Sequence, residues 1–352
     1  MRTAHEILTE AVVLLPAWYS VNRRPLPWRQ DPTPYHTWIA EIMLQQTRIE
    51  AVIPYYLRFL NELPDVPALA VVEEDRLLKL WEGLGYYSRA RNLRKAAQIL
   101  MEHHDGELPA SLEALKKLPG IGEYTAGSIA SIAFGLPEPA VDGNVLRVLA
   151  RLCSSAEDIT SQSTKHRVTD LLRQHYPSGK EAALLTEAIM ELGETICPPN
   201  GVPLCRSCPL SGVCTAHASG EELNYPVKAA KKPRRIEKRP VFLLHCGSRY
   251  AIRKRPGRGL LAGLWEFPNV DGQLSPDEVG TALADLDLVM GAPEPEGTAR
   301  HIFTHVEWDM IGYRIDCAKE SPYLLWKTPE EIARDYSLPT AFRYYQKRIS
   351  EV

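Results

Sequence analysis

At 352 residues with 45% hydrophobic content, the chain is long enough to bury two cores. A net charge of −3 excludes a uniformly basic nucleic-acid binder. No apolar run is long enough to span a bilayer, and the short stretch near Ala11–Tyr19 lacks a basic leader and a cleavage site and follows acidic residues. An intracellular (cytoplasmic) protein with no membrane partner is therefore expected. In chain order, apolar spacing of 3.6 residues predicts helices over 5–19, 35–61, 73–82, 88–104, 111–117, 123–133, 143–152, 164–175 and 180–195, with Pro and Gly at the joints. The texture then changes. Val241–His245, Tyr250–Lys254, Ala299–Thr304 and Glu307–Asp316 read as strands, with helices near 276–286, 329–335 and 339–349. There is no internal repeat.

These elements divide the chain into an all-α unit over 1–220, a linker over 221–239 and an α+β domain over 240–352. The run Lys228–Arg239 holds seven basic residues and one acid, which reads as a solvated linker. Such a segment gains from its charge when it lies near DNA.

In the helix Thr37–Thr47, Glu41 is the only charge in eleven residues. A carboxylate there is either at an exposed edge or buried with a raised pKa. Leu118-Pro119-Gly120-Ile121-Gly122 reads as a turn: Pro119 presets φ, and Gly120 and Gly122 can take positive φ. Taken alone it is an ordinary turn. With a helix beginning near Glu123, it presents backbone N–H groups suited to a phosphate. Asp142, twenty residues past Gly122, stands at a helix start, where an ordinary N-cap is also expected. Two carboxylates, Glu41 and Asp142, fit a glycosidase logic in which one protonates the leaving group and the other faces an oxocarbenium-like sugar.

Four of the seven cysteines form the run Cys197-x7-Cys205-x2-Cys208-x5-Cys214. Spacing alone admits a four-cysteine zinc site or a four-thiolate iron–sulfur cluster. Only Cys205/Cys208 forms a zinc-type knuckle, and uneven spacing in a compact loop favours the cluster. Cys153, Cys246 and Cys317 are scattered and expected to be buried reduced thiols.

The hairpin followed by Asp142 resembles the helix-hairpin-helix DNA glycosylases. The cysteine run resembles the [4Fe-4S] loop of endonuclease III and MutY-type enzymes, with one extra residue in the first interval. IAEIMLQQT, LPWR (Leu26–Arg29) and GLGYYSR (Gly83–Arg89) resemble the MutY-type adenine DNA glycosylases, and the likeness covers nearly the whole chain. The resemblance implies a helix-hairpin-helix catalytic domain with an iron–sulfur loop at 197–214, plus a C-terminal α+β Nudix-like domain. It implies a monofunctional glycosylase releasing adenine opposite 8-oxoguanine or guanine by base flipping, acting on double-stranded DNA as a monomer. Glu41 matches the acid that protonates adenine, Asp142 the carboxylate facing C1′, and Asn144 a residue supporting that site. Tyr124 stands where endonuclease III-like pyrimidine glycosylase/lyases, the alternative reading, carry a nucleophilic lysine. Lys116 and Lys117 fall on the other side of the hairpin, as surface or phosphate residues. Gln46 and Tyr86 match duplex wedges, Thr47 and Leu84 contacts to the opposite base, and Trp28 and Arg29 the adenine pocket, although Trp28 also suits a plain core position. Arg253–Asn269 resembles the start of a Nudix domain, but the glutamate-rich metal box does not follow, so recognition rather than pyrophosphate hydrolysis is expected. Phe303-Thr304-His305 resembles the loop that senses 8-oxoguanine, with Thr304 in place of a serine.

Overall fold

The computed structural model describes residues 2–229 and 233–351; Lys231 and Lys232 of the basic run lie outside the described residues. Helices α1 (Ala4–Asn22), α2 (Pro27–Gln30), α3 (Pro34–Leu44), α4 (Ile49–Glu62), α5 (Val66–Val71), α6 (Glu74–Leu80), α7 (Ser88–His103), α8 (Leu112–Lys116), α9 (Glu123–Phe134), α10 (Gly143–Leu152), α11 (Gln162–Arg173), α12 (Lys180–Thr195) and α13 (Thr215–Ser219) precede the strands. Then come β1 (Arg235–Cys246), β2 (Arg249–Lys254), β3 (Trp265–Glu266), α14 (Val279–Ala282), β4 (Glu294–Ile302), β5 (Val306–Asp316), β6 (Leu325–Lys327), α15 (Pro329–Asp335) and α16 (Arg343–Ser350). No described helix is long and apolar enough to cross a membrane.

Two compact units result: residues 1–71 with 92–230, and residues 72–91 with 231–352. They do not follow the chain-order division expected from composition, because α6 and the GLGYYSR loop pack with the C-terminal residues. Lys79 Nζ donates to Ala333 O and Leu338 N donates to Glu82 Oε1, the latter at 3.0 Å.

In the first unit, apolar residues at helical spacing on α1 (Ile7, Leu8, Ala11, Leu15), α10 (Val145, Leu149) and α12 (Leu185, Ile189, Leu192) form one core. Cys197, Cys208 and Cys214 pack against it, so the cysteine loop is anchored to the same helices that carry Asp142. The single helix expected over 35–61 is two. α3 stops at Leu44, Gln45 is non-helical at ψ 113°, and Gln46 takes φ +58°.

The second unit is built on a mixed sheet of order β3-β2-β1-β5-β4, with β6 on β2. β1 and β5 are parallel from Arg235↔Val306 to His245↔Asp316, and the other pairs are antiparallel. β1 starts six residues before the strand expected at Val241. The basic stretch from Arg235 is therefore ladder rather than solvated linker. Lys238 pairs with Asp309, and buried Arg239 pairs with Asp271 and lies 4.2 Å over the Trp308 ring. β4 ends at Ile302, which releases Phe303–His305 into a turn closed by Phe303 N to Val306 O at 2.8 Å. The three scattered cysteines are free thiols, but only Cys317 is buried; Cys153 and Cys246 are half-buried.

Candidate active site

A cavity of about 490 Å³ in the helical unit is lined by Glu41, Tyr124, Asp142 and Asn144, by Trp28 and Arg29, and by Gln46 and Thr47. α3 carries Glu41 inward, leaving it 7% exposed. Burial pushes its pKa up to about 7; the Ser128 and Tyr124 hydroxyls oppose the shift, and the Asp142 charge adds to it. Burial likewise pushes the Tyr124 phenol well above its ordinary value, with Glu41 and Asp142 acting in the same direction.

Asp142 caps α10. Its Oδ1 accepts from Asn144 N and Val145 N, both at 2.9 Å. Burial raises its pKa against these two bonds and the Arg147 charge. Asn144 Oδ1 accepts from Arg147 Nη1 at 2.9 Å, and Arg147 continues to Gly193 O and Cys197 O, each at 2.9 Å. A Cβ at Gly193 would lie 3.2 Å from Asn144 Cβ, so close helix approach needs glycine there.

Trp28 meets Tyr56 edge-on at 5.4 Å between centroids. Arg29 lies 5.3 Å over the Tyr19 ring and pairs with Glu191 at 2.8 Å and Glu187 at 3.8 Å; Arg24 also bonds Glu191 at 2.6 Å. Burial raises Glu187, while at Glu191 the two arginines overcome burial and hold the carboxyl below its usual range. Sequence reasoning missed both acids. Their signal was faint: Glu187, Glu191 and Glu194 recur at i, i+4 and i+7 in a helix that also carries Lys180 and Glu181.

At the hairpin only one glycine uses left-handed backbone. Gly120 sits at φ +79°, where a Cβ would lie 2.8 Å from Asn92 Cβ. Gly122 is extended at φ −86° and caps α9, its carbonyl accepting from Ala126 N at 2.8 Å. Lys116 and Lys117 are exposed.

In the second unit a cavity of about 500 Å³ is lined by Gly83–Ser88, Arg91, Gly259–Ala262, His301–Val306, Pro339 and Thr340. Leu84, Tyr86, Phe303, Thr304 and His305 thus meet at one place. Arg89 builds the wall: Nη2 donates to Leu84 O at 3.0 Å and Gly85 O at 3.2 Å, with Trp81 Nε1 also on Gly85 O at 3.0 Å. Tyr86, exposed at φ +47°, holds its hydroxyl 2.8 Å from Thr304 Oγ1. Phe303 packs edge-on between His301 and Trp308.

Cys197, Cys205, Cys208 and Cys214 surround a small recess walled by Ile196 and Pro203. Arg151 Nη1 donates to Cys197 Sγ at 3.2 Å and to Pro198 O at 2.9 Å. Four soft donors in no disulfide, facing one cavity with a fixed cation beside them, fit a four-thiolate iron–sulfur cluster. His217 and Glu222, which sequence reasoning passed over, sit beside Cys205 with ligand atoms within 4.8 Å of one another.

Residues 39–174 match the family model described as HhH-GPD superfamily base excision DNA repair protein, and residues 240–348 match the NUDIX domain. The chain is 32% identical to adenine DNA glycosylase of Rattus norvegicus over 94% of its own length and 77% of that protein. It is 33% identical to the Homo sapiens counterpart over 94% and 73%, and 34% identical to that of Buchnera aphidicola subsp. Schizaphis graminum over 73% and 74%. Among solved structures, a non-covalent endonuclease III–DNA complex aligns with TM-score 0.53 and 26% identity, covering 62% of this chain and 99% of that one.

Proposed function

Since the chain belongs to the adenine DNA glycosylases of the helix-hairpin-helix superfamily, DNA repair enzymes that hydrolyse the N-glycosyl bond of adenine, we propose that it removes adenine mispaired with 8-oxoguanine or guanine. The observation that carries this reading is the first cavity. It holds a buried acid with pKa about 7 together with a helix-capping carboxylate, beside a tyrosine rather than an amine.

The target nucleotide turns out of the duplex into that cavity, with Gln46 entering the gap it leaves, and Tyr86 acts as a second wedge in the duplex. The indole of Trp28 packs on adenine, and Arg29 with Glu187 meets its polar edge. Glu41, partly protonated at neutral pH, delivers its proton to the adenine ring as the C1′–N9 bond breaks, so the base leaves neutral. Positive charge then develops on the sugar, and Asp142 supplies the counter-charge. The deprotonated Glu41 takes a proton from the water that adds to C1′. Asn144 and Arg147 keep Asp142 and α10 in place. Gly120 and Gly122 hold a backbone phosphate at the hairpin.

The second cavity takes the base opposite adenine. Thr304 and His305 offer a hydroxyl and an imidazole, and Leu84 completes the contact there. Cys197, Cys205, Cys208 and Cys214 would hold a [4Fe-4S] cluster, which ties the 197–214 loop together when bound. The protein acts as an intracellular monomer on double-stranded DNA.

An endonuclease III-like lyase needs an amine to form a Schiff base at C1′, and Tyr124 has none. One assay separates the readings. On duplexes with adenine opposite 8-oxoguanine, guanine or thymine, base release should follow that order, and strand breaks should need added alkali. Breaks without alkali, or release of a pyrimidine instead, would overturn the proposal.

A further inference from the structure

The second cavity has a wall to which the roles above give no part. The turn Gly259–Ala262 faces the Tyr86 and Thr304 side and completes the enclosure. Within it, Leu261 takes φ +58°. Among the described residues only Gln46, Tyr86, Asp105, Ser154 and Asp287 share that left-handed conformation without being glycine. Asp and Asn tolerate it, whereas a leucine pays a steric penalty and persists only where its surroundings hold it. Such strain gathers at functional sites, and two of the others, Gln46 and Tyr86, are the wedges named above.

The strained backbone sorts two neighbouring leucines. Leu261 packs, as Phe303 and Trp265 do, against the core around Trp308 and Phe342. Leu260 is left 39% exposed at the cavity. The turn is not slack: Arg255 N donates to Leu264 O at 2.8 Å, Gly263 N to Pro256 O at 3.0 Å, and Arg255 Nε to Leu260 O at 3.0 Å. Gly263, at φ +66°, comes so near Arg91 that a Cβ would lie 2.8 Å from Nη2, and Arg91 is itself bound to Glu74 at 2.8 Å. The backbone that presents Leu260 thus runs close beside the Arg91 side chain of the segment that presents Tyr86.

We propose that Leu260 is a specificity-determining contact, an apolar cap on the face of the base that enters this cavity. The inference rests on the reading of the cavity as the site for the base opposite adenine. A purine has an apolar face and a polar edge. Thr304 and His305 can meet the edge, and a leucine over the face excludes water from those hydrogen bonds. 8-Oxoguanine differs from guanine by an N–H at N7 and a carbonyl at C8. The fewer waters compete at that edge, the more the difference counts.

The test compares Leu260→Ala, Leu260→Met and Thr304→Ala in the full chain. The readout is the single-turnover excision rate opposite 8-oxoguanine divided by that opposite guanine. Leu260→Ala should lower the ratio about tenfold, the scale of one lost buried leucine contact, and leave thermal stability unchanged because the side chain is partly in water. Leu260→Met should retain the ratio. Leu260→Ala and Thr304→Ala combined should fall short of the product of their effects, because both act on one base. An unchanged ratio in Leu260→Ala with a lowered one in Thr304→Ala would overturn the cap and leave the lesion cavity standing. Equal losses opposite both bases would also overturn it, as a general DNA contact. Unchanged ratios in both variants would overturn the cavity reading itself.

Discussion

The two cavities have nearly the same volume, about 490 and 500 Å³, and opposite contents. The helical one gathers Glu41, Asp142, Glu187 and Glu191 with Arg24 and Arg29. The one beside the sheet is walled by leucines, glycines and aromatic rings, with several hydroxyls, two imidazoles and Arg91. Breaking a glycosidic bond requires charge where charge develops, so acids must be buried and held there at a cost in folding. Choosing a base requires neutral donors and acceptors against a dry wall. On the proposed function the charged cavity serves bond cleavage and the other discrimination, so substitutions in each should move different observables.

The largest effect is expected in the charged cavity. Glu41→Gln keeps size and hydrogen bonding but cannot deliver a proton, so single-turnover excision should fall by at least about 10²–10⁴-fold with DNA affinity retained. Asp142→Asn should fall comparably because the sugar cation loses its counter-charge. Rates within tenfold of wild type in either variant would break the division between the cavities.

Next comes pH. With Glu41 protonated only below about 7, excision in the wild type should be level under that value and drop about tenfold per unit above it. The same group links folding to pH. A folded-state value above the ordinary 4.5 favours the folded chain while the carboxyl is protonated. That contribution is full below pH 4.5 and is lost as pH rises through 7. Glu41→Gln should therefore gain stability relative to wild type at pH 8 but not at pH 4, by roughly 2–3 kcal/mol at most. Equal thermal shifts at the two pH values would contradict a buried, titrating Glu41.

In the neutral cavity the effects are smaller and of another kind. Thr304→Ala or His305→Ala should lower the 8-oxoguanine-to-guanine ratio about tenfold each, the worth of one polar base contact, with little change opposite guanine. Loss of rate opposite both bases would place these side chains in the chemistry instead. The smallest expected effect is a gain. Tyr124→Lys should show weak nicking and a borohydride-trapped complex, limited by how far burial lowers the amine pKa. No trapped complex would mean that position 124 does not face C1′ or that its packing leaves the amine protonated.

The sequence made the catalytic helices easiest to read, because their signals are local. The 3.6-residue spacing of α1, α10 and α12 and the capping position of Asp142 need no tertiary information. Glu41 was legible as an anomaly but not as buried or exposed, since that depends on α9 packing over it with Ser128 and Tyr124. Glu187 and Glu191 hid in a charge pattern typical of any amphipathic surface helix; only the arginines opposite them reveal a pocket wall. The break between α3 and α4 was invisible because Gln45-Gln46-Thr47 carries no glycine or proline, and the strain at Gln46 is imposed by the fold. The basic stretch misled for a different reason. Arg235–Arg239 is polar enough to pass for linker until β5 supplies a parallel partner and Trp308 a platform for Arg239.

The membership of residues 72–91 in the second unit has a consequence for how the protein is made. α6 and the Tyr86 loop leave the ribosome long before the strands they pack with. At ~5–20 residues per second, the last of those strands and helices follows roughly ten to fifty seconds later. Through that interval Leu77, Leu78, Leu80 and Trp81, all buried in the finished protein, lack the C-terminal surface of their own unit. The helical core of α1, α10 and α12 can close before synthesis ends, since its last buried member is Val213. Lys79 in α6 and Glu82, just before the Tyr86 loop, lack their C-terminal partners until Ala333 arrives to accept from Lys79 and Leu338 to donate to Glu82. A chain stopped short of those residues would carry an unpaired apolar helix in its middle, a target for chaperones and proteases while the carboxylates of the first cavity are already in place.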